Sequence, residues 1–212
     1  MDGLTMLPDF ITEDEASALI AAIDEQPWSG NGIRYRGRYS LTRTFHARGA
    51  HETADAAVRL PILSGLGPLP DFLSFLVDRI VERAFMDGDT PNYLVINEYE
   101  LGQGIMPHTD ATVFGPTIAV VSLLTPCIMN FLHPRTGHSF DLLIPRNSLT
   151  VMSRAARYDY KHSISKNHVD RTPEGDEVVR GRRVSLTFRI VKEWSGSEEG
   201  WEENGGETGE RG

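Results

Sequence analysis

The sequence predicts an α+β fold: a run of short strands closing on itself as a jelly roll or barrel, with helices from the N-terminal part packed outside it. Two observations carry this. From Tyr93 onward, short strand-like stretches follow one another between turn residues, with no helical pattern among them. Upstream, two stretches repeat apolar residues at helical spacing instead.

In order along the chain, "ITEDEASALIAAIDEQ" is the first helix. Thr12 and Glu15 have the spacing of a capping box, and Ala16, Leu19, Ile20 and Ile23 form one apolar stripe. "PDFLSFLVDRIVERAF" is the second, with Pro70 near its start and Leu73, Leu76, Val77 and Ile80 on one side. Between them lie an Arg-rich segment and then "HETADAAVRLPILSGLGPLP", mostly loop with room for one helical turn. The strands are "YLVINEYE", "IMPHTD", "TIAVVSLL", "CIMNFLH", "SFDLLIP", "SLTVMS", "YKHSI" and "RVSLTFRIV". "DGDTPN", before the first of them, has the acids of a calcium loop but not its Gly or final Glu, and reads as a turn.

At 212 residues the chain suits one domain with a sizeable core. We expect that domain to span residues 1–192, with a β core at 93–191. The single cysteine, Cys127, stands in the apolar run "PCIMNFL" and reads as a buried small hydrophobe, so a disulfide framework and a Cys-based zinc site are both excluded. No signal-peptide pattern opens the sequence and no apolar run is long enough to span a bilayer. The expectation is a monomeric intracellular protein of the cytoplasm or nucleus, with no membrane partner.

Net charge is −9, but it is unevenly spread. The segment 193–212, "EWSGSEEGWEENGGETGERG", holds seven Glu and one Arg, and its Gly/Glu-rich composition predicts a disordered tail. The segment 27–51, "PWSGNGIRYRGRYSLTRTFHARGAH", holds five Arg and no acid. A strongly basic stretch in an acidic chain is an electrostatic footprint for an anionic partner. Phosphate loops, the G-x-S-x-G elbow and the H-E-x-x-H helix are all missing from the sequence.

Two His-x-Asp pairs are present, "HTD" at 108–110 and "HVD" at 168–170. On a strand, residues two apart share a face, so His108 and Asp110 can hold one ion between them. His168 and Asp170 fall in the polar stretch "SKNHVDRTPEGDEVVRG", which reads as a loop with a solvated pair, and no histidine follows to complete a site. Two imidazoles and one carboxylate on one face of a metal make the facial triad of non-haem Fe(II) oxygenases. Downstream candidates for the second imidazole are His133, His138, His162 and His168. His133 and His138 sit in the turn "HPRTGHSF", whereas His162 lies on a short strand flanked by aromatics and is the better choice. In "RVSLTFR", Arg183 and Arg189 share a strand face roughly 20 Å apart. Leaning together, two guanidiniums would bracket a small dicarboxylate, whose carboxylates match their planar forks; taken alone, the pair reads more simply as two solvated arginines on an exposed edge strand.

Taken together, "NEYELGQGIMPHTD", "RYDYKHSI" and "RRVSLTFRIV" resemble the AlkB-like family of Fe(II)/2-oxoglutarate dioxygenases over residues 93–191, with weaker similarity upstream. The order N-x-Y, H-x-D, H, R-x5-R is far more specific than any of its parts. The resemblance implies a double-stranded β-helix form of the jelly roll. It implies catalytic metal ligands His108, Asp110 and His162, and Fe(II), 2-oxoglutarate and O2 as cofactor and co-substrates. Arg183, helped by Tyr99, would grip the distal carboxylate of 2-oxoglutarate. Arg189 and Asn97 would act nearer the end that chelates the metal, and Ser185 between them would add a hydrogen bond. The implied reaction couples decarboxylation to succinate and CO2 with hydroxylation of a C–H bond. On an N-methyl group the product then loses formaldehyde. Thr112 stands where some DNA-repairing members carry a second acid, and Ser163 where a Gly is frequent after the distal His. Neither departure touches the metal chemistry, and both bear on the substrate.

In this family the segment before the barrel forms a lid over the substrate; here that is 27–51. Arg36, Arg38 and Arg43 could hold phosphates while Tyr39 and Phe45 stack on an extruded base, which would suit a modified RNA or DNA. "RTFHARG" matches the family's basic-aromatic lid motif only loosely. The alternative is an oxygenase of a protein side chain or small molecule, which the acidic surface would fit. A binding module that has lost turnover is a third possibility, disfavoured by the intact triad and both arginines.

Overall fold

The computed structural model describes residues 1–25, the backbone of 34–40, and 69–191. The acidic tail, residues 51–68 of the loop expected at 51–70, and Arg43 and Phe45 lie outside the described residues.

Strand β1 (Leu4–Leu7) opens the chain, followed by helix α1 (Glu13–Asp24). Strand β2 (Arg34–Ser40) falls in the Arg-rich segment. A 3-10 turn (Asp71–Leu73) leads into α2 (Ser74–Glu82). Then come β3 (Tyr93–Tyr99), β4 (Ile105–His108), β5 (Ile118–Leu124), β6 (Cys127–Leu132), β7 (Ser139–Ile144) and β8 (Ser148–Met152). Helix α3 (Arg154–Tyr158) precedes β9 (Lys161–Ile164), the short hairpin of β10 (Val169–Arg171) and β11 (Glu177–Val179), and β12 (Arg183–Arg189).

The strands form two main antiparallel sheets. The larger runs β1-β8-β5-β12-β3-β2 and the smaller β4-β9-β6-β7. Alternation along each strand splits its side chains between two cores. On the outer face of the larger sheet, Leu94, Ile96, Val121, Leu149, Val184, Leu186 and Phe188 meet Leu19 and Ile23 of α1 and Leu76 and Ile80 of α2. On the inner face, Tyr93, Ile118 and Val120 meet Cys127, Met129, Phe131, Ile144 and Ile164 of the smaller sheet. This is a jelly-roll core with helices on one outer face, as the sequence predicts. The odd-numbered residues of β12 (Arg183, Ser185, Thr187, Arg189) stand on the inner face with Asn97 and Tyr99, so the polar residues of the signature line the interior.

The sequence does not announce β1, α3 or the β10–β11 hairpin. Each has five residues or fewer and draws its order from neighbours. Strand β1 exists because it pairs with β8. Gly3, at φ +76, lets the chain run so close to Ser153 that a Cβ would overlap the Ser153 carbonyl. The stretch holding Asp170 is also not the solvated loop expected of it. Asp170 is buried on β10, ion-paired to Arg180 at 3.0 Å, and accepts from Ser165 Oγ and Ile128 N. Its charge is met by Arg180, which a reading of local polarity cannot see.

The capping box of α1 is present: Glu15 N donates to Thr12 Oγ1 and Thr12 N to Glu15 Oε2. Arg79 of α2 also grips Glu15 with two hydrogen bonds, of 2.7 and 3.0 Å, so the same carboxylate joins the two helices. The Arg79 hydrogen bond first, then the Thr12 backbone, hold the Glu15 carboxyl down at about 2. A depressed carboxylate contributes stability that is fully present above its unfolded value of 4.5 and is lost as pH falls through about 2. Glu15→Gln is therefore expected to cost about 1 kcal/mol at neutral pH, solvent screening of the part-exposed pair included. Urea unfolding checks this: the gap between wild type and variant should narrow in acid.

Candidate metal centre

His108 ends β4, and His162 lies directly opposite it on β9. Their rings are 4.3 Å apart between centroids. The two strands approach closely because Gly104, just before β4, lies against the Ile164 carbonyl, where a Cβ would overlap it. Sheet pairing thus brings together two histidines 54 positions apart in the sequence.

Asp110 does not sit on the strand, as alternation suggests; β4 ends at His108 and Asp110 lies in the loop beyond. The register shifts between Ile105 and His108, and the last paired position of β4 is His108 itself. Asp110 nevertheless reaches the site, with Oδ2 3.7 Å from His162 Nε2. Ligand atoms of His108, Asp110 and His162 all lie within 4.8 Å of one another. His108 Nδ1 is 2.8 Å from the Met106 carbonyl. Donation by an Nδ1–H there leaves Nε2 with its lone pair for an ion.

Two arginines hold Asp110. Arg189 of β12 ion-pairs with its Oδ1, and Arg189 is itself sandwiched near Phe114 (4.6 Å) and Tyr93 (5.9 Å). Arg157 of α3 donates to the Asp110 carbonyl at 2.8 Å and the Ala111 carbonyl at 2.7 Å. Burial pushes the Asp110 carboxyl up, but the charges of Arg189, His162, His108 and Arg157 outweigh it and hold it at about 2. Burial, then His108, push His162 down to about 4 against the pull of Asp110. Both groups therefore offer lone pairs at neutral pH. Two imidazoles and a carboxylate, converging within 4.8 Å, fit a divalent transition metal bound on one face.

Arg183 lies at the other end of β12, opposite Tyr99 and 1% exposed. Its Nη2 donates to Ser122 Oγ at 2.8 Å and its guanidinium lies 5.3 Å from the Tyr99 ring centre. Its Nε has no hydrogen-bond partner, and among the described residues no carboxylate pairs with it. Burial pushes the Tyr99 phenol up, with Arg183 pulling the other way, so that hydroxyl remains a neutral donor. A deeply buried guanidinium without an anion is costly. The residues present thus fit a carboxylate ligand. Ser185 and Asn97 lie opposite one another between the two arginines, on the same inner face.

The other residues singled out from sequence fall elsewhere. His133 and His138 close the β6–β7 hairpin at the surface, where His138 Nδ1 is 3.0 Å from the Tyr160 hydroxyl. His168 is exposed. Arg36, Arg38 and Tyr39 belong to β2, which adds the outermost strand beside β3; their positions lie across from Ile96, Val95 and Leu94. Strand β2 thus runs beside the strand that carries Asn97 and Tyr99. Arg157 and Ser122 were not singled out from sequence. Among the described residues the Arg157 guanidinium donates to carbonyls, which no motif encodes; its one signal is an Arg five residues before the strand histidine.

The family model of the 2OG-Fe(II) oxygenase superfamily matches residues 3–189. An Arabidopsis thaliana protein named "Alkylated DNA repair protein ALKBH8 homolog" is 32% identical over 214 residues, covering 90% of this chain and 58% of its own length. The Xenopus tropicalis "tRNA (carboxymethyluridine(34)-5-O)-methyltransferase alkbh8" is 30% identical over 206 residues, covering 90% of this chain and 32% of its own length. The chain therefore spans 58% or less of these two relatives. The solved structure of OsALKBH1 superposes with a TM-score of 0.60 at 13% identity, over 89% of this chain and 98% of that one, a likeness of fold.

Proposed function

The chain belongs to the 2OG-Fe(II) oxygenase superfamily, and from that premise we propose that it oxidises an alkylated or otherwise modified nucleic-acid base, by hydroxylation or oxidative demethylation. The observation that carries the chemistry is the convergence of His108, Asp110 and His162, with a buried Arg183 on the same inner face that pairs with no carboxylate among the described residues. Fe(II), when bound with 2-oxoglutarate and O2, supplies the oxidising power that hydroxylates a C–H bond. The protein's own groups do the rest. His108, Asp110 and His162 would hold the metal from one side and leave its other side open. Arg183 would take the distal carboxylate of 2-oxoglutarate, aided by Tyr99, and Ser122 orients its guanidinium. Arg189 fixes the Asp110 carboxylate, so that Oδ2 is the oxygen turned towards His162.

A nucleic-acid substrate is supported by the Arg-rich segment, part of which forms β2 beside the strand that carries Asn97 and Tyr99, and by the names of two relatives, one a DNA repair protein homologue and one a tRNA-modifying enzyme. Single strands are favoured, since a base within a duplex reaches a buried metal only at the cost of unstacking. A panel of methylated oligonucleotides and peptides, with Fe(II), 2-oxoglutarate and ascorbate, read by mass spectrometry, tests the substrate. Binding to a short RNA or DNA should weaken with salt, and Arg36→Ala, Arg38→Ala and Arg43→Ala together should flatten that slope. Deleting residues 195–212, which compete for the same arginines in this reading, should tighten binding most at low salt. Equal, poor binding by all forms at low salt would move the reading to a protein or small-molecule substrate.

A further inference from the structure

We propose that Arg157 is a positioning residue that sets the metal affinity of the His–Asp–His cluster by clamping the loop that carries Asp110. The inference rests on the reading that this cluster holds the metal. Three observations lead to it. First, β4 stops at His108, so no sheet hydrogen bond orients Asp110, unlike His108 and His162 on paired strands. Second, Arg157 spends its planar fork on two consecutive carbonyls, those of Asp110 (2.8 Å) and Ala111 (2.7 Å), rather than on a carboxylate. That geometry fixes the peptide plane from which the Asp110 side chain leaves. Third, Arg157 is 3% exposed and its Nε has no partner. A buried guanidinium so incompletely met costs stability, and core packing alone would be served better by an apolar side chain.

The clamp has its own anchor. Helix α3, which carries Arg157, is tied to the N-terminus: Ser153 N donates to the Gly3 carbonyl at 2.7 Å and Ala156 N to the Asp2 carbonyl at 3.1 Å. Arg189 holds the Asp110 carboxylate from the β12 side while Arg157 holds its backbone from the α3 side. One fork aims the oxygen and the other places the residue. With the backbone fork removed, the loop samples positions in which Asp110 Oδ2 no longer converges with the two imidazoles. The ion then loses part of its third ligand although all three ligand residues remain.

The test is Mn(II) binding to the full-length protein, followed by the free-Mn(II) EPR signal, for wild type, Arg157→Met, Arg157→Lys and His162→Ala. Thermal unfolding is run on each with and without Mn(II). Arg157→Met is expected to raise the Mn(II) Kd by roughly 10–100-fold, the range for groups that orient metal ligands. Arg157→Lys should fall between, since an ammonium meets one carbonyl well but cannot span two as a planar fork does. The rise in Tm on adding a fixed excess of Mn(II) should shrink in the same order. A merely structural Arg157 would lower the Tm of the metal-free protein and leave Kd unchanged; that result overturns the proposal. If Arg157→Met does not fold, Arg157→Lys and Arg157→Gln decide by the same criterion, and a Kd within about twofold of wild type in either overturns it. Failure of the metal reading itself looks different: wild type and His162→Ala would then bind Mn(II) equally weakly.

Discussion

His162→Ala is expected to abolish Fe(II)-dependent turnover and to weaken metal binding by more than the roughly 10–100-fold typical of changes behind the ligands, while His168→Ala leaves both at wild-type level. The two histidines begin as rival partners for a His-x-Asp pair, and the structure separates them. His162 is 8% exposed, faces His108 across paired strands and points Nε2 at Asp110. His168 is exposed, and its neighbour Asp170 is already committed to Arg180, Ser165 and the Ile128 amide. His108→Ala and Asp110→Ala should be as damaging to turnover. His162→Ala is the cleaner experiment, because Asp110→Ala would also leave the part-buried Arg189 without its carboxylate. Metal titration together with succinate production reads both properties. Loss of activity in His168→Ala with retention in His162→Ala would show the ligand set to be wrong.

How much of this could be read from the chain depends on the range of the interactions involved. Strands β3 to β9, β12 and both long helices follow from local periodicity, whereas β2 in the Arg-rich segment does not, and the polar residues of β12 and β3 reach the interior because alternation sends them there. Local patterns also reveal residue types suited to a metal, but not which His meets which Asp. The match of His108 with His162 is a sheet register, set over 54 positions. Asp110 shows the limit most plainly. Alternation places it beside His108 for a reason the structure does not use, since the strand has ended and the loop is held by Arg157 instead. Asp170 errs in the other direction: a polar neighbourhood reads as solvent, yet Arg180, ten residues on, makes burial tolerable. Short elements such as β1 and α3 have too few residues for a period to register, and exist through partners the sequence does not name.

Arg183→Ala is expected to raise the 2-oxoglutarate concentration needed for half-saturation by two to nearly four decades, about 3–5 kcal/mol, with little change in metal affinity. The reason is the place of the guanidinium. It is 1% exposed, with Ser122 Oγ as a hydrogen-bond partner and an unpartnered Nε. There a carboxylate would meet its charge with little competition from water. Arg183→Lys should recover only part, because an ammonium cannot form two parallel bonds to one carboxylate. Ser122→Ala should have a smaller effect in the same direction, since it loosens the guanidinium without removing it. A second readout separates a ligand site from a packing role. If Arg183 is kept for an anion, its charge is a burden to the ligand-free protein. Arg183→Met, close in volume and without charge, should then raise the Tm of the ligand-free form. The same variant should lose the stabilisation that 2-oxoglutarate confers on wild type, about 2.7 kcal/mol at a hundredfold excess over Kd. Calorimetric binding of 2-oxoglutarate in the presence of Mn(II), and unfolding with and without it, measure the two effects on the same samples. A ligand-free Arg183→Met that is less stable than wild type yet still saturates normally with 2-oxoglutarate would make Arg183 a packing residue and leave the dicarboxylate to be held elsewhere.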